Sequence, residues 1–135
     1  MRPRCRVLVP TLLLLGCVMG TTTNKYQPAQ GPAGAEIHLT LAEGRTVTGE
    51  LLSIDSGVLL VLERSQVLER GQLLRVSVGA LRDLRAPKVN YHGSDLPAAT
   101  RERLRLISRY PQGVSPELER QLLQAYGQEA VVEVP

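Results

Sequence analysis

Between Glu36 and Ala86, polar and apolar residues alternate in short runs, and glycine-bearing turns separate the first of them. In Glu36-Ile37-His38-Leu39-Thr40-Leu41 the aliphatic side chains fall on one face of an extended chain and the polar ones on the other. Such period-two alternation describes a half-buried strand. Glu43-Gly44-Arg45 supplies a turn, and Thr46-Val47-Thr48-Gly49-Glu50-Leu51 resumes the alternation with Val47 and Leu51 inward. Gly49 stands in mid-strand, where a missing side chain marks a bend or a close backbone approach. After a second turn at Asp55-Ser56-Gly57, Val58-Leu59-Leu60-Val61-Leu62 is apolar throughout and reads as a strand covered on both faces. Arg64 to Gly71 is polar and predicts a longer loop. Gln72 to Val78 and Ala80 to Arg85 predict two further strands, the second ended by Ala86-Pro87. Five short strands within about 50 residues, bent at a glycine, predict a small antiparallel barrel whose closure removes exposed edges.

The C-terminal third changes to a helical pattern. Asp95 is placed to cap a helix from Pro97, with proline in the first turn. Leu104, Ile107 and Tyr110 then share a face, and Arg101, Glu102, Arg105 and Arg109 are expected to face water. Pro111-Gln112-Gly113 ends this helix, and Ser115-Pro116 restarts a second one. Leu118, Leu122, Ala125 and Tyr126 are expected to line its docking side, with Gly127 as the left-handed stop. Val131-Val132-Glu133-Val134 could add a last short strand. The expected fold class is mainly β (α+β): a five-stranded barrel over 36–87 and a helical extension with two short helices over 88–135.

The region before Glu36 follows neither pattern. Residues 18–35 are rich in Gly, Pro, Thr and Gln and cannot bury a face, so they predict a flexible tether. Ahead of them, Arg2, Arg4 and Arg6 precede the apolar run Val7 to Leu15, which Pro10 and Thr11 interrupt. A bilayer span needs about 20 apolar residues, so this run is a secretory signal and not a membrane helix. Its end, Leu14-Leu15-Gly16-Cys17, resembles the processing site of bacterial lipoprotein precursors. The resemblance implies cleavage between Gly16 and Cys17 and lipidation (palmitate) on Cys17. The domains expected are therefore 1–16 signal peptide, 17–35 lipidated cysteine and tether, and the folded remainder. In Gram-negative lipoproteins an Asp after the cysteine commonly marks inner-membrane retention. Val18 stands there, so the periplasmic face of the outer membrane is expected if the host has one. The alternative is an ordinary secretory signal with a chance Gly-Cys.

Processing rewrites the composition. The formal charge of +3 belongs to the leader, since removing residues 1–16 takes three of the 16 basic residues and none of the 13 acidic ones. Basicity is therefore no argument for a nucleic-acid partner. Cys5 leaves with the leader and Cys17 would carry lipid, so the mature domain has no thiol for a disulfide or a metal. With neither Trp nor Phe, its core must be aliphatic.

The stretch Leu41-Ala-Glu-Gly44-Arg45-Thr-Val47-Thr-Gly49-Glu-Leu51-Leu-Ser-Ile54-Asp55, with Val58 to Leu62, resembles the first motif of the Sm-like family. That resemblance implies an Sm-like/SH3-like small barrel. It does not imply RNA binding. Where the family places a stacking aromatic or His and a hydrogen-bonding Asn after the Asp, this chain has Gly57 and Leu59. The family's second motif, with its Arg-Gly pair, is not recognisable around Val76-Ser77-Val78-Gly79. Residues 36–87 hold no aromatic residue, and six Arg stand against seven Asp and Glu. Single-strand binding leans on aromatic stacking and a positive groove, so no nucleic-acid partner is expected.

His38 and His92 are the two histidines, expected to face solvent on a strand and a loop. Ser94 and Asp95 sit beside His92, but near-adjacent residues on a glycine-containing loop do not form a triad relay, and a turn with a helix cap is expected instead. Asp55 reads as a turn residue bonding its own backbone. No catalytic, cofactor-binding or metal site is expected, and the chain is not read as an enzyme. The expectation is a lipid-anchored bacterial envelope protein, membrane-bound through its lipid, acting as an interaction or structural module for an unknown envelope protein partner. The alternative is a soluble exported or ring-forming Sm-like binding domain, so an oligomer is possible.

Overall fold

The computed structural model describes residues 33–64 and 71–135. The expected processing site Leu14-Leu15-Gly16-Cys17, the expected tether up to residue 32 and residues 65–70 of the expected loop lie outside the described residues. The described chain is mainly β with two helices, as its class was expected to be. Its strands are β1 (Glu36–Leu41), β2 (Thr46–Asp55), β3 (Val58–Glu63), β4 (Gln72–Ser77), β5 (Leu81–Ala86), β6 (Val89–His92) and β7 (Val132–Val134). Helices α1 (Ala98–Ile107) and α2 (Pro116–Ala125) lie between β6 and β7, and a single 3-10 turn, Val78–Ala80, joins β4 to β5.

The expectation of a closed five-stranded barrel is corrected. The seven strands form one sheet in the order β6-β5-β1-β2-β3-β4-β7, and no ladder joins its two ends among the described residues. All pairs are antiparallel except β4–β7. The edge liability is met in a different way from closure. Each edge of the β5-to-β4 run is covered by a short extra strand, β6 on β5 and β7 on β4.

Turn chemistry explains the register. Ser56 (φ 47°) and Gly57 (φ 77°) both take positive φ, the requirement of a two-residue type I′ hairpin between β2 and β3. Within β2, Leu51 pairs with Val61 and Ser53 with Leu60, which leaves Leu52 as the extra residue of a bulge. Leu51 enters one apolar cluster and Leu52 the other, and the bulge then shifts the alternation so that Ile54 returns to the cluster of Leu51. Gly49 is a close-approach glycine, since a Cβ there would lie 2.2 Å from the carbonyl oxygen of Leu62.

β3 divides the core in two. Leu59 and Val61 join Ile37, Leu39, Val47, Leu51 and Leu84 on one face, where Leu96 and Leu104 of the α1 region close it. Leu60 and Leu62 face the other way, under Leu118, Leu122 and Tyr126 of α2. The second helix thus docks on its own domain, although Ala125 is exposed and not part of the docking side. Buried apolar residues here are all Leu, Val or Ile, each stabilising by about 1.5–3 kcal/mol.

The helix ends follow the expectation in one case only. Ser115 caps α2 by accepting from the Leu118 N–H at 3.2 Å, and Gly127 takes φ 64° beyond its end. Asp95 does not cap α1: the cap position is Pro97, with no side-chain bond. Leu96 is buried in the core between them, so Asp95 stands two residues too early to reach the first free N–H groups. Its carbonyl instead accepts from the Tyr91 hydroxyl.

Candidate functional site

Cys17 and Gly16 lie outside the described residues, so the domain's own contribution begins at residues 33–35, where the described chain enters the fold. Ala35 donates its N–H to the Ile107 carbonyl at 2.9 Å, and Leu51 donates to the Ala35 carbonyl at 2.9 Å. Beyond α1 the chain takes over the edge of β2: Arg109 N–H donates to Leu51 and Tyr110 N–H to Leu52, at 3.0 and 2.8 Å. Gly34 is wedged in this junction, where a Cβ would sit 2.2 Å from the Leu51 oxygen and 2.6 Å from the Arg109 nitrogen.

At its centre is a buried ion pair that alternation did not reveal. Glu50 is only 2 % exposed, yet both its oxygens are bonded by Arg109, Nε to Oε1 and Nη2 to Oε2, each at 2.7 Å. The Gly34 N–H adds a third donor at 2.5 Å. Burial alone would lower the Arg109 pKa. The hydrogen bond and charge of Glu50, with bonds to Tyr110 and Tyr126, more than offset this and hold it above its usual value. Arg109 was expected to face water because it was read as helical. The helix ends at Ile107, and the extended segment after it turns Arg109 onto β2. A bidentate pair of this kind, with a third donor from the backbone, ties together residues 34, 50 and 109.

On the α2 face a groove of about 280 Å³ opens beside the β2–β3 hairpin, lined by Asp55, Ser56, Val58, Leu60, Arg75 and Glu119 among others. Arg75 bonds Glu133 of β7 and, at 2.8 Å, Glu119 of α2. The Glu133 bond, with the charges of both carboxylates, raises its pKa despite some burial. Asp55 accepts from the Ser56 hydroxyl at 3.0 Å. The groove's charges are thus largely spent on one another, and its chemistry suits a polar contact.

The histidines are exposed. His38 on β1 contacts Thr48 Oγ1 at 3.1 Å and lies 3.4 Å from Glu36. His92 ends β6 and is not in a loop, and the carboxylate it meets is Asp83 across the β5–β6 ladder, not Asp95. The His92 hydrogen bond, then the Arg82 bond and the charges of both, hold Asp83 below its ordinary 3.8. That pairing was invisible without the β6 strand, whose register sets Asp83 opposite His92. The base-reading positions of the Sm-like pattern are a turn glycine, Gly57, and a fully buried leucine, Leu59. Among the described residues, no three His, Cys, Asp or Glu side chains gather as a metal site. No described helix is long and apolar enough to cross a membrane. Comparison of the chain with protein-family models, with curated proteins and with solved structures found no match.

Proposed function

We propose that this chain is a lipid-anchored protein of the bacterial cell envelope, working as a non-enzymatic interaction or structural module. The observation that carries the reading is Leu14-Leu15-Gly16-Cys17 behind a basic, short apolar leader. It is supported by the tether-like composition up to residue 35 and by polar groups that are engaged in binding segments of the domain together. Val18 after the cysteine favours the periplasmic face of the outer membrane in a two-membrane host. Within this reading the β5-β1-β2-β3-β4 run is an opened Sm-like/SH3-like small barrel. Support comes from the long β2, which bulges at Leu52 and passes from β1 to β3 as it goes.

The test is Cys17→Ala, together with an inhibitor of the lipoprotein signal peptidase. Both should retain the leader and change the membrane fraction, and Cys17→Ala alone should also abolish incorporation of labelled palmitate. Unchanged size and fractionation would refute the anchor. A second reading, a soluble exported domain that forms rings, is favoured by the outer edges of β6 and β7, which pair with nothing among the described residues. Light scattering separates the two, a ring giving a closed oligomer and the tethered module a monomer.

A further inference from the structure

We infer that Arg103 and Leu106, on the outer side of α1, rest on an anionic phospholipid surface and set the domain's orientation at the membrane. This rests on the lipid anchor proposed above. Leu106 is 55 % exposed, the one large apolar side chain so exposed among the described residues. A single exposed leucine is ordinary; its position is not. The next residue, Ile107, accepts the hydrogen bond from Ala35, and Arg109 packs its backbone on Gly34. The tether therefore leaves the fold beside Leu106.

Charge points the same way. Between Arg101 and Arg109 there are four arginines and one glutamate. Arg105 is bound to Glu102, Arg109 to Glu50, and Arg101 to the Leu96 carbonyl. Arg103 is exposed, has no carboxylate partner among the described residues, and stands three positions before Leu106 on the same helix strip. A cation beside an apolar side chain is the pattern of a helix lying at a lipid interface. The composition of residues 18–33 is that of a linker, and a 16-residue linker of that kind reaches about 22 Å, so on the anchored reading the domain stays at the surface. At that effective concentration a contact too weak to bind from solution is populated, and an anionic leaflet attracts the arginine.

The mature lipidated chain has no free thiol, so Leu106→Cys carries a single apolar fluorophore. The control is Glu117→Cys on α2, across the sheet. Each chain is reconstituted in vesicles of phosphatidylethanolamine and phosphatidylglycerol containing a headgroup quencher. The label at 106 should be quenched and the label at 117 should not. Replacing phosphatidylglycerol by phosphatidylcholine, or adding Arg103→Glu, should lower the contacting population roughly fivefold or more. If the chain floats with the vesicles but 106 is quenched no more than 117, the inference is overturned and the anchor stands. Equal quenching without phosphatidylglycerol overturns the anionic surface. Protection of 106 only in protein-bearing envelope vesicles overturns it in favour of a protein partner. A chain that does not float at all defeats the anchor itself.

Discussion

Removing Arg109 should cost this fold more than neutralising Glu50, because the two sides of the pair are buried to different depths. Glu50 is 2 % exposed and Arg109 side chain 21 %. Arg109→Ala strips both Nε and Nη2 bonds and leaves a carboxylate in a low-dielectric junction with the Gly34 N–H as its one remaining donor. Breaking a buried pair in this way costs about 3–5 kcal/mol. Glu50→Gln keeps the shape and an acceptor for Gly34 and Arg109 Nε, and the less buried guanidinium can turn toward water. Losing one charge-assisted bond costs about 1.5–3 kcal/mol. For a domain of this size each kcal/mol moves Tm by about 4–8 °C, so Arg109→Ala should lower Tm by about 12–40 °C and Glu50→Gln by about half as much. The double replacement Glu50→Leu with Arg109→Met should recover most of the loss, since no charge is then left unpaired. Thermal unfolding of the mature chain, followed by circular dichroism, reads all three. The reasoning fails if Arg109→Ala costs under about 1 kcal/mol, or if the double variant is no better than Arg109→Ala.

Gly49→Ala should destabilise by about 3 kcal/mol, at the upper end for overpacking, because its Cβ meets backbone oxygen; Gly113→Ala, with open space but φ 90°, should cost about 1–2 kcal/mol. Urea titration of the two variants checks the order. Ser115→Ala should cost about 1 kcal/mol through the lost cap, whereas Asp95→Ala should leave α1 stability unchanged by the same measurement. The Asp83 carboxyl should titrate below 3.8 by NMR, and His92→Ala should move it back up. Its folded pKa is depressed, so the small stability it contributes is present above pH 3.8 and lost as pH falls through the lower folded value.

What could be read from the sequence was what is written locally. Alternation over Glu36–Leu41, the apolar run Val58–Leu62 and the turns at Gly44 and Gly57 place β1, β2 and β3 within a residue or two. β6 escaped because four residues after a proline, with Val89 alone fully buried, give too short a period to recognise. Closure is the expectation for five short strands bent at a glycine, but the edges it would hide are covered here by two further short strands. Glu50 looked like any outward polar residue of an alternating strand. Its burial comes from residues 34 and 109, far away in sequence, and no local pattern encodes that. Arg109 was misplaced by extending a helical period past Ile107, where the backbone turns extended. The candidate anchor, by contrast, is entirely a matter of sequence, since on the proposed reading Gly16 and Cys17 would act before folding.

The parallel β4–β7 pair has a consequence for biogenesis. Leu73 of β4 is held on both its N–H and its carbonyl by the Gln128 side chain, at 2.8 and 3.0 Å, and Leu74 to Val76 pair with Val132 to Val134. For a chain threaded across a membrane unfolded and N-terminus first, these partners of β4 would emerge well after β4 itself. Until residues 128–134 arrive, the β4 edge stays bare and the α2 cluster lacks Val131, so a domain exported in this way could not finish folding before they had crossed. A fold completed by such distant partners is slow to close. For an exported chain that slowness would keep it threadable, at the cost of an unprotected edge that has to be shielded until β7 comes through.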